Sequence, residues 1–171
     1  MPRRLLLTSL VLLLLACSPA LNWREVRLAG GELKALLPCK PDQADRRQSI
    51  AGRELELRML GCEAGGALYA LSVVELGDAA HALAVQVQWQ ASLLGTLQAS
   101  TSASSPWALR GAGLSLEPVQ LSAQGLRPDG RPIVARAVWF ARGTRLYHAV
   151  VYADRISTEM SEPFFSGLEL P

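Results

Sequence analysis

The chain has 171 residues, half of them hydrophobic, with seventeen Lys and Arg against fifteen Asp and Glu. That length suits one domain with a proper core. A formal net charge of +2 supplies no drive toward nucleic acid or an acidic surface.

The first seventeen residues decide where such a domain would live. Arg3 and Arg4 form a short positive segment, and Leu5 to Ala16 is a nearly unbroken apolar run. About a dozen residues suit the hydrophobic part of a signal peptide and are too few to cross roughly 30 Å of hydrocarbon. The run ends in Leu14-Leu15-Ala16-Cys17, which resembles the lipobox of bacterial lipoproteins.

The resemblance implies cleavage between Ala16 and Cys17, a diacylglycerol on Cys17 Sγ and an acylated amino group. Each buried methylene contributes about 0.8 kcal/mol, so two or three chains hold where one would not. Ser18 rather than Asp after the cysteine points, by the sorting habit of the family, to the periplasmic leaflet of the outer membrane. An ordinary secretory cut after Ala20 and an uncleaved anchor are the competing readings. The expected organisation is a signal peptide over 1–16, a lipidated tether over 17–22 and one periplasmic domain over 23–171. Removing Arg3 and Arg4 leaves fifteen basic residues against fifteen acids, so the mature domain is formally neutral.

With Cys17 carrying lipid, Cys39 and Cys62 remain, in a compartment where disulfides persist. A bridge between them is expected, worth roughly 3 kcal/mol by chain entropy. No CxxC spacing suggests a metal or redox pair instead.

In chain order, Trp23–Leu28 and Glu32–Leu37 read as strands around a Gly30-Gly31 turn. Pro38-Cys39-Lys40-Pro41 stops that ladder, since neither proline can donate. Asp42–Ser49 is polar and reads as an exposed loop. Arg53–Leu60 alternates strictly, with Leu55, Leu57 and Met59 on one face. Gly65-Gly66 turns it into Ala67–Leu76.

Asp78 is an N-cap candidate for the one long helix, Ala79 to about Ala99. Its expected core stripe is Leu83, Val87, Leu94 and Leu97 with Ala80 and Ala91, and Trp89 falls to the flank. Ser100–Ser105 reads as a mobile loop. Leu114–Leu121 returns to strand, with Pro118 marking an edge or bulge. Arg127-Pro128-Asp129-Gly130 is a turn. Arg131–Arg142 and Thr144–Ala153 form a hairpin about Gly143. Ser157–Gly167 reads as a short helix presenting Phe164 and Phe165, and Leu168–Leu170 as a last edge strand.

The resulting class is α+β: an antiparallel sheet flanked by one long helix and a short C-terminal helix. This order resembles the PsbP-like α/β/α sandwich family. The matching residues are Leu37-Pro38-Cys39-Lys40-Pro41, Arg145-Leu146-Tyr147 and Phe164-Phe165-Ser166-Gly167-Leu168-Glu169-Leu170. The resemblance implies a non-enzymatic binding or assembly factor, covering nearly all of the mature domain.

No residues converge on a reaction. There is no GxSxG elbow, and Ser102, Ser104 and Ser105 lie in the expected loop. His148 sits on a strand without an organised partner and His81 in the first helical turn; neither reads as a base. Two separated histidines with dispersed carboxylates do not suggest a metal site. Glu54 and Glu56 read as a solvated strand face, and Gly111-Ala-Gly113 lacks the helix and third glycine of a phosphate loop.

Arg131, Arg136, Arg142 and Arg145 concentrate on the last hairpin, as its outer face or as a weak anionic docking patch. The expectation is a lipid-anchored envelope protein without catalytic residues, metal or cofactor. It would meet the membrane through Cys17 and bind an envelope protein partner, and not nucleic acid. A small envelope hydrolase around His148, or a small-ligand or lipid carrier with a cavity between helix and sheet, are the alternatives.

Overall fold

A computed structural model describes residues 20–28, 32–111 and 113–171. Cys17, the lipobox and the Gly30-Gly31 turn lie outside the described residues. The centre is a seven-stranded antiparallel sheet. Nine strands are described: β1 (Arg24–Leu28), β2 (Leu33–Leu37), β3 (Asp42–Ile50), β4 (Arg53–Ala64), β5 (Ala67–Glu75), β6 (Thr101–Pro106), β7 (Leu114–Leu126), β8 (Pro132–Arg142) and β9 (Arg145–Ala153). The last seven run side by side in the order β3-β4-β5-β9-β8-β7-β6, while β1 and β2 form a separate hairpin. Helix α1 spans Ala82–Thr96 and helix α2 spans Thr158–Ser166.

Period-two alternation sends the two faces of this sheet into different cores. On one face, Leu55, Leu57, Val74, Ala137, Trp139, Leu146 and Val150 meet Val85, Trp89 and Leu93 of α1 and Leu97 at its C-cap. On the other, Leu60, Tyr69, Leu71, Phe140, Tyr147 and Val151 meet the β1–β2 hairpin and Phe164 and Phe165 of α2. The molecule is therefore three layers thick, and both the hairpin and α2 belong to the face opposite α1.

The disulfide joins Cys39, just past β2, to Cys62 of β4, with Cα atoms 6.0 Å apart. Cys62 falls on the hairpin-facing side of β4, so the bridge ties that layer to the sheet. Reducing it is expected to cost about 3 kcal/mol. Urea unfolding with and without reductant would read this as a shift in midpoint.

Several expectations need correction. Asp42–Ile50 is a strand, β3, and not a loop. It is an edge strand, exposed along nearly all its length, so it needs no apolar face. Its register sets Asp45 opposite Arg58 and Arg47 opposite Glu56, and opposite charges across a ladder are favourable. The joining turn has positive φ at both Ala51 and Gly52, the backbone sense that two-residue hairpins favour.

Thr101–Pro106 is also an edge strand, paired with Val119–Gln124, where a mobile loop was expected. Its inward backbone groups pair with β7, and its small side chains stay exposed. Leu168–Leu170 is not a strand: only Glu169 bridges, to Lys34 and Arg110. Pro118 does accompany register shifts in β7, as a bulge.

The long helix also differs. Asp78 caps a short 3-10 turn over Ala79–His81, accepting from Ala80 N, and α1 proper follows. It stops at Thr96 because Gln98 takes a left-handed φ of 46°. Gln98 N then donates to Gly95 O and Ala99 N to Leu94 O, the double bond of a Schellman end. Its buried face is rotated from the expected one. Ala82, Val85, Gln86, Trp89 and Leu93 face the sheet, whereas Leu83 and Val87 are 57% and 56% exposed. No charged residue lies on α1 to mark its outer side, so either stripe satisfied the spacing, and the bulk of Trp89 won.

Candidate functional site

His148 is sealed in the core. On β9 it sits opposite Ser72 of β5 and Trp139 of β8, beneath α1. Its ring stacks on Trp139 at 4.6 Å between centroids and meets Trp89 at 4.9 Å. Burial disfavours the imidazolium and pushes its pKa down to about 3. A base needs contact with substrate, and these two indoles occupy that space.

The four arginines of the last hairpin do not form an open patch for docking anions. Arg131 pairs with Asp129 at 2.8 Å and Arg136 with Glu162 at 3.4 Å. Arg136 also lies over the Phe165 ring and holds Gln120. Arg142 donates to the carbonyl of Pro171.

Arg145 reaches Glu32 at 2.5 Å and Glu75 at 3.2 Å. Tyr147 donates to the same Glu32 carboxylate at 3.0 Å. The Arg145 guanidinium and then the Tyr147 hydroxyl hold Glu32 below its ordinary pKa. Burial first, and that carboxylate second, push Tyr147 up to about 12. The network fastens the start of β2 to one end of the sheet. Glu56 lines a small recess beside it with Arg58, Glu75 and Arg145, a solvated charged edge without the depth of an acid pair.

The opposite end of the sheet carries a different feature: an apolar cleft of about 510 Å³, within the range of small-ligand sites. Its floor is built from neighbouring strands, with Leu68 on β5, Tyr152 on β9 and Ile133 on β8. Leu93 of α1 and Leu97 at its C-cap form one wall, and the turn after Leu126 forms the other. Leu68, where the floor runs out to the mouth, and Leu126 at the mouth remain 39% and 41% exposed.

Gly125 makes that wall possible. A Cβ there would lie 2.1 Å from the Leu97 carbonyl oxygen, which instead accepts from Leu126 N at 2.7 Å. The end of α1 thus seats on β7 backbone to backbone. The polar rim consists of Glu63, Thr96, Arg127 and Asp129. Arg127 binds Asp154 at 2.7 Å, while its Nε is buried without a hydrogen-bond partner. Burial pushes the Tyr152 phenol up to about 12, so it stays a neutral donor at any physiological pH.

None of the cleft residues stands out in the sequence. The available signal was a leucine beside each of two glycine-containing turns, Leu68 after Gly65-Gly66 and Leu126 before Arg127-Pro128-Asp129-Gly130. Their strands lie far apart in the chain and meet only through β9 and β8.

Among the described residues no group of three or more His, Cys, Asp or Glu is placed to hold a metal ion, and no helix is long and apolar enough to cross a membrane. No family model and no curated protein matches the chain. Among solved structures, the crystal structure of PA94, a Pseudomonas aeruginosa protein of unknown function, is similar to this chain over 82% of its residues and 89% of PA94, at 18% sequence identity and a TM-score of 0.39.

Proposed function

We propose that this protein is a lipid-anchored envelope lipoprotein whose domain is a non-catalytic binding module at the periplasmic face of the outer membrane. The observation that carries the binding reading is the apolar cleft, open to solvent at the end of the helix–sheet layer. A pocket with an apolar body and a few polar groups at its rim is built for recognition. The anchor reading rests on Arg3, Arg4, the apolar run and the lipobox ending in Cys17. The finer fold reading, a PsbP-like sandwich, is supported by the helices lying on opposite faces of one antiparallel sheet.

Replacing Cys17 by alanine is expected to move the protein from the membrane to the soluble periplasmic fraction, or to leave its precursor uncut. Fractionation with intact mass measurement distinguishes the two. Unchanged membrane association of a correctly cut Cys17→Ala protein would remove the anchor reading. A carrier role for the same cleft is the second reading, favoured by its volume and its exposed leucines.

A further inference from the structure

We infer that the cleft takes one acyl chain of a zwitterionic phospholipid from the bilayer that holds the protein. The inference rests on the anchored reading above and names the ligand of the same site. Its first support is the place of Leu21. Leu21 packs against Gly65 at the tip of the β4–β5 turn, so closely that a Cβ on Gly65 would lie 2.9 Å from Leu21 Cδ2. That turn borders the cleft through Glu63 and Leu68. Only three residues separate Leu21 from Cys17, so the two lie four steps apart, at most about 14 Å of extended chain. The cleft end of the sheet is therefore the end tied to the membrane, and the charged Glu32–Arg145–Glu75 network lies at the far end.

The second support is the chemistry of the mouth. Leu68 and Leu126 present exposed apolar surface, which is costly in water and favourable against hydrocarbon. The depth behind them is lined by Leu93, Leu97, Ile133 and the Tyr152 ring, with the Tyr152 hydroxyl as a polar group and no charged side chain on the floor. An acyl chain satisfies such a lining, whereas a sugar or nucleotide would strand most of its hydroxyls there, with the Tyr152 phenol able to answer few of them.

The rim selects the headgroup. Arg127 lines the mouth with 28% of its side chain exposed, and a guanidinium donates readily to a phosphate or ester oxygen. Asp129 and Asp154 are already paired with Arg131 and Arg127. Glu63, which lines the same mouth, adds a further negative charge. A free fatty acid or an anionic lipid would meet that carboxylate unfavourably. A head with both phosphate and ammonium answers Arg127 and Glu63 together, in the manner of phosphatidylethanolamine.

The test uses the full acylated chain reconstituted in vesicles of phosphatidylethanolamine and phosphatidylglycerol. In separate samples, one lipid or the other carries a photoactivatable diazirine at the end of an acyl chain. Peptide mass spectrometry then locates the adducts. Phosphatidylethanolamine adducts are expected on the peptides holding Leu93, Leu97, Leu126 and Ile133, several-fold above those from phosphatidylglycerol. Leu68→Glu with Leu126→Glu, both at exposed positions, should lower them at least fivefold while the circular dichroism melt stays that of the parent. If the double variant does not fold, the positions labelled in the parent decide.

Adducts elsewhere, equal labelling by both lipids, or cleft labelling only when Cys17's own acyl groups carry the diazirine would each overturn the inference. The N-terminal mass separates the two levels. An acylated chain without cleft adducts defeats the lipid site alone, and an unacylated chain that still labels in the cleft defeats the anchor alone.

Discussion

Replacing Trp139 by alanine is expected to destabilise the fold by about 3–5 kcal/mol, the range for removing a large buried aromatic. Trp139 is fully buried near the middle of the sheet, on the face beneath α1. Its ring stacks on His148, which in turn meets Trp89 of α1. Deletion would leave an indole-sized gap that β-strand neighbours on both sides cannot move in to fill. The loss should appear as a lower urea midpoint at unchanged slope. A change below 1 kcal/mol would show that this stack is not what joins α1 to the sheet.

Trp89→Ala is expected to cost less. Its gap opens at a layer boundary, where the helix can settle. The pair of variants therefore ranks the sheet side of the joint above the helix side.

The protein should also lose stability on acidification well before its carboxylates titrate, because of His148. The folded pKa is near 3, below the ordinary value of 6.5. The unfolded chain therefore takes up a proton through pH 6.5 that the folded chain refuses until about pH 3. Between those limits the unfolded state binds more protons, so stability falls as pH falls. The full slope is about 1.4 kcal/mol per pH unit.

Glu32 and Glu75 have the opposite displacement, held below 4.5, with Arg145 the largest influence on Glu32 and Thr144 on Glu75. Their contribution is complete above 4.5 and is lost only as pH falls through their folded values. The window from 6.5 to 4.5 thus isolates His148, with an upper bound of about 3 kcal/mol.

His148→Phe keeps a ring against Trp139 and removes the titration. Stability measured at half-unit steps should slope in the parent and be flat in the variant across that window. Parallel curves would mean that His148 is reached by water or protonated in the fold. Ser72, opposite His148, and Gln86, on the face of α1 turned to the sheet, are the other buried polar residues of that core. Neither side chain titrates in this range.

Much of the fold was legible because it depends on local chemistry. Arg53–Leu60 alternates so regularly that its faces could be assigned, and Leu55 and Leu57 do enter the α1 core. Gly65-Gly66, Arg127-Pro128-Asp129-Gly130 and Gly143 all turn where they were expected to, since positive φ is cheap for glycine. Ser157 caps α2 by accepting from Met160 N, and Phe164 and Phe165 are buried.

The misread stretches share one property. In Asp42–Ile50 and Thr101–Pro106 the side chains say little, because an edge strand is specified by the backbone groups of its neighbour. In α1 the residues say too much, since apolar side chains lie all round it and only the opposing sheet can choose a face.

The candidate site divides in the same way. Its pieces were each visible as turns, strand ends and a helix end, but strand adjacency was not. Cys39 and Cys62 were expected to pair from the lipobox reading of Cys17 and the cysteine count, and the structure joins them. The α+β class, the disulfide and most turns thus follow from the sequence, through φ preferences, alternation and cysteine chemistry acting over a few residues. The seven-strand order, the rotation of α1, the sealing of His148 and the cleft were decided only in the tertiary structure. Each of these depends on which apolar surfaces meet across tens of residues, and that choice is made by packing.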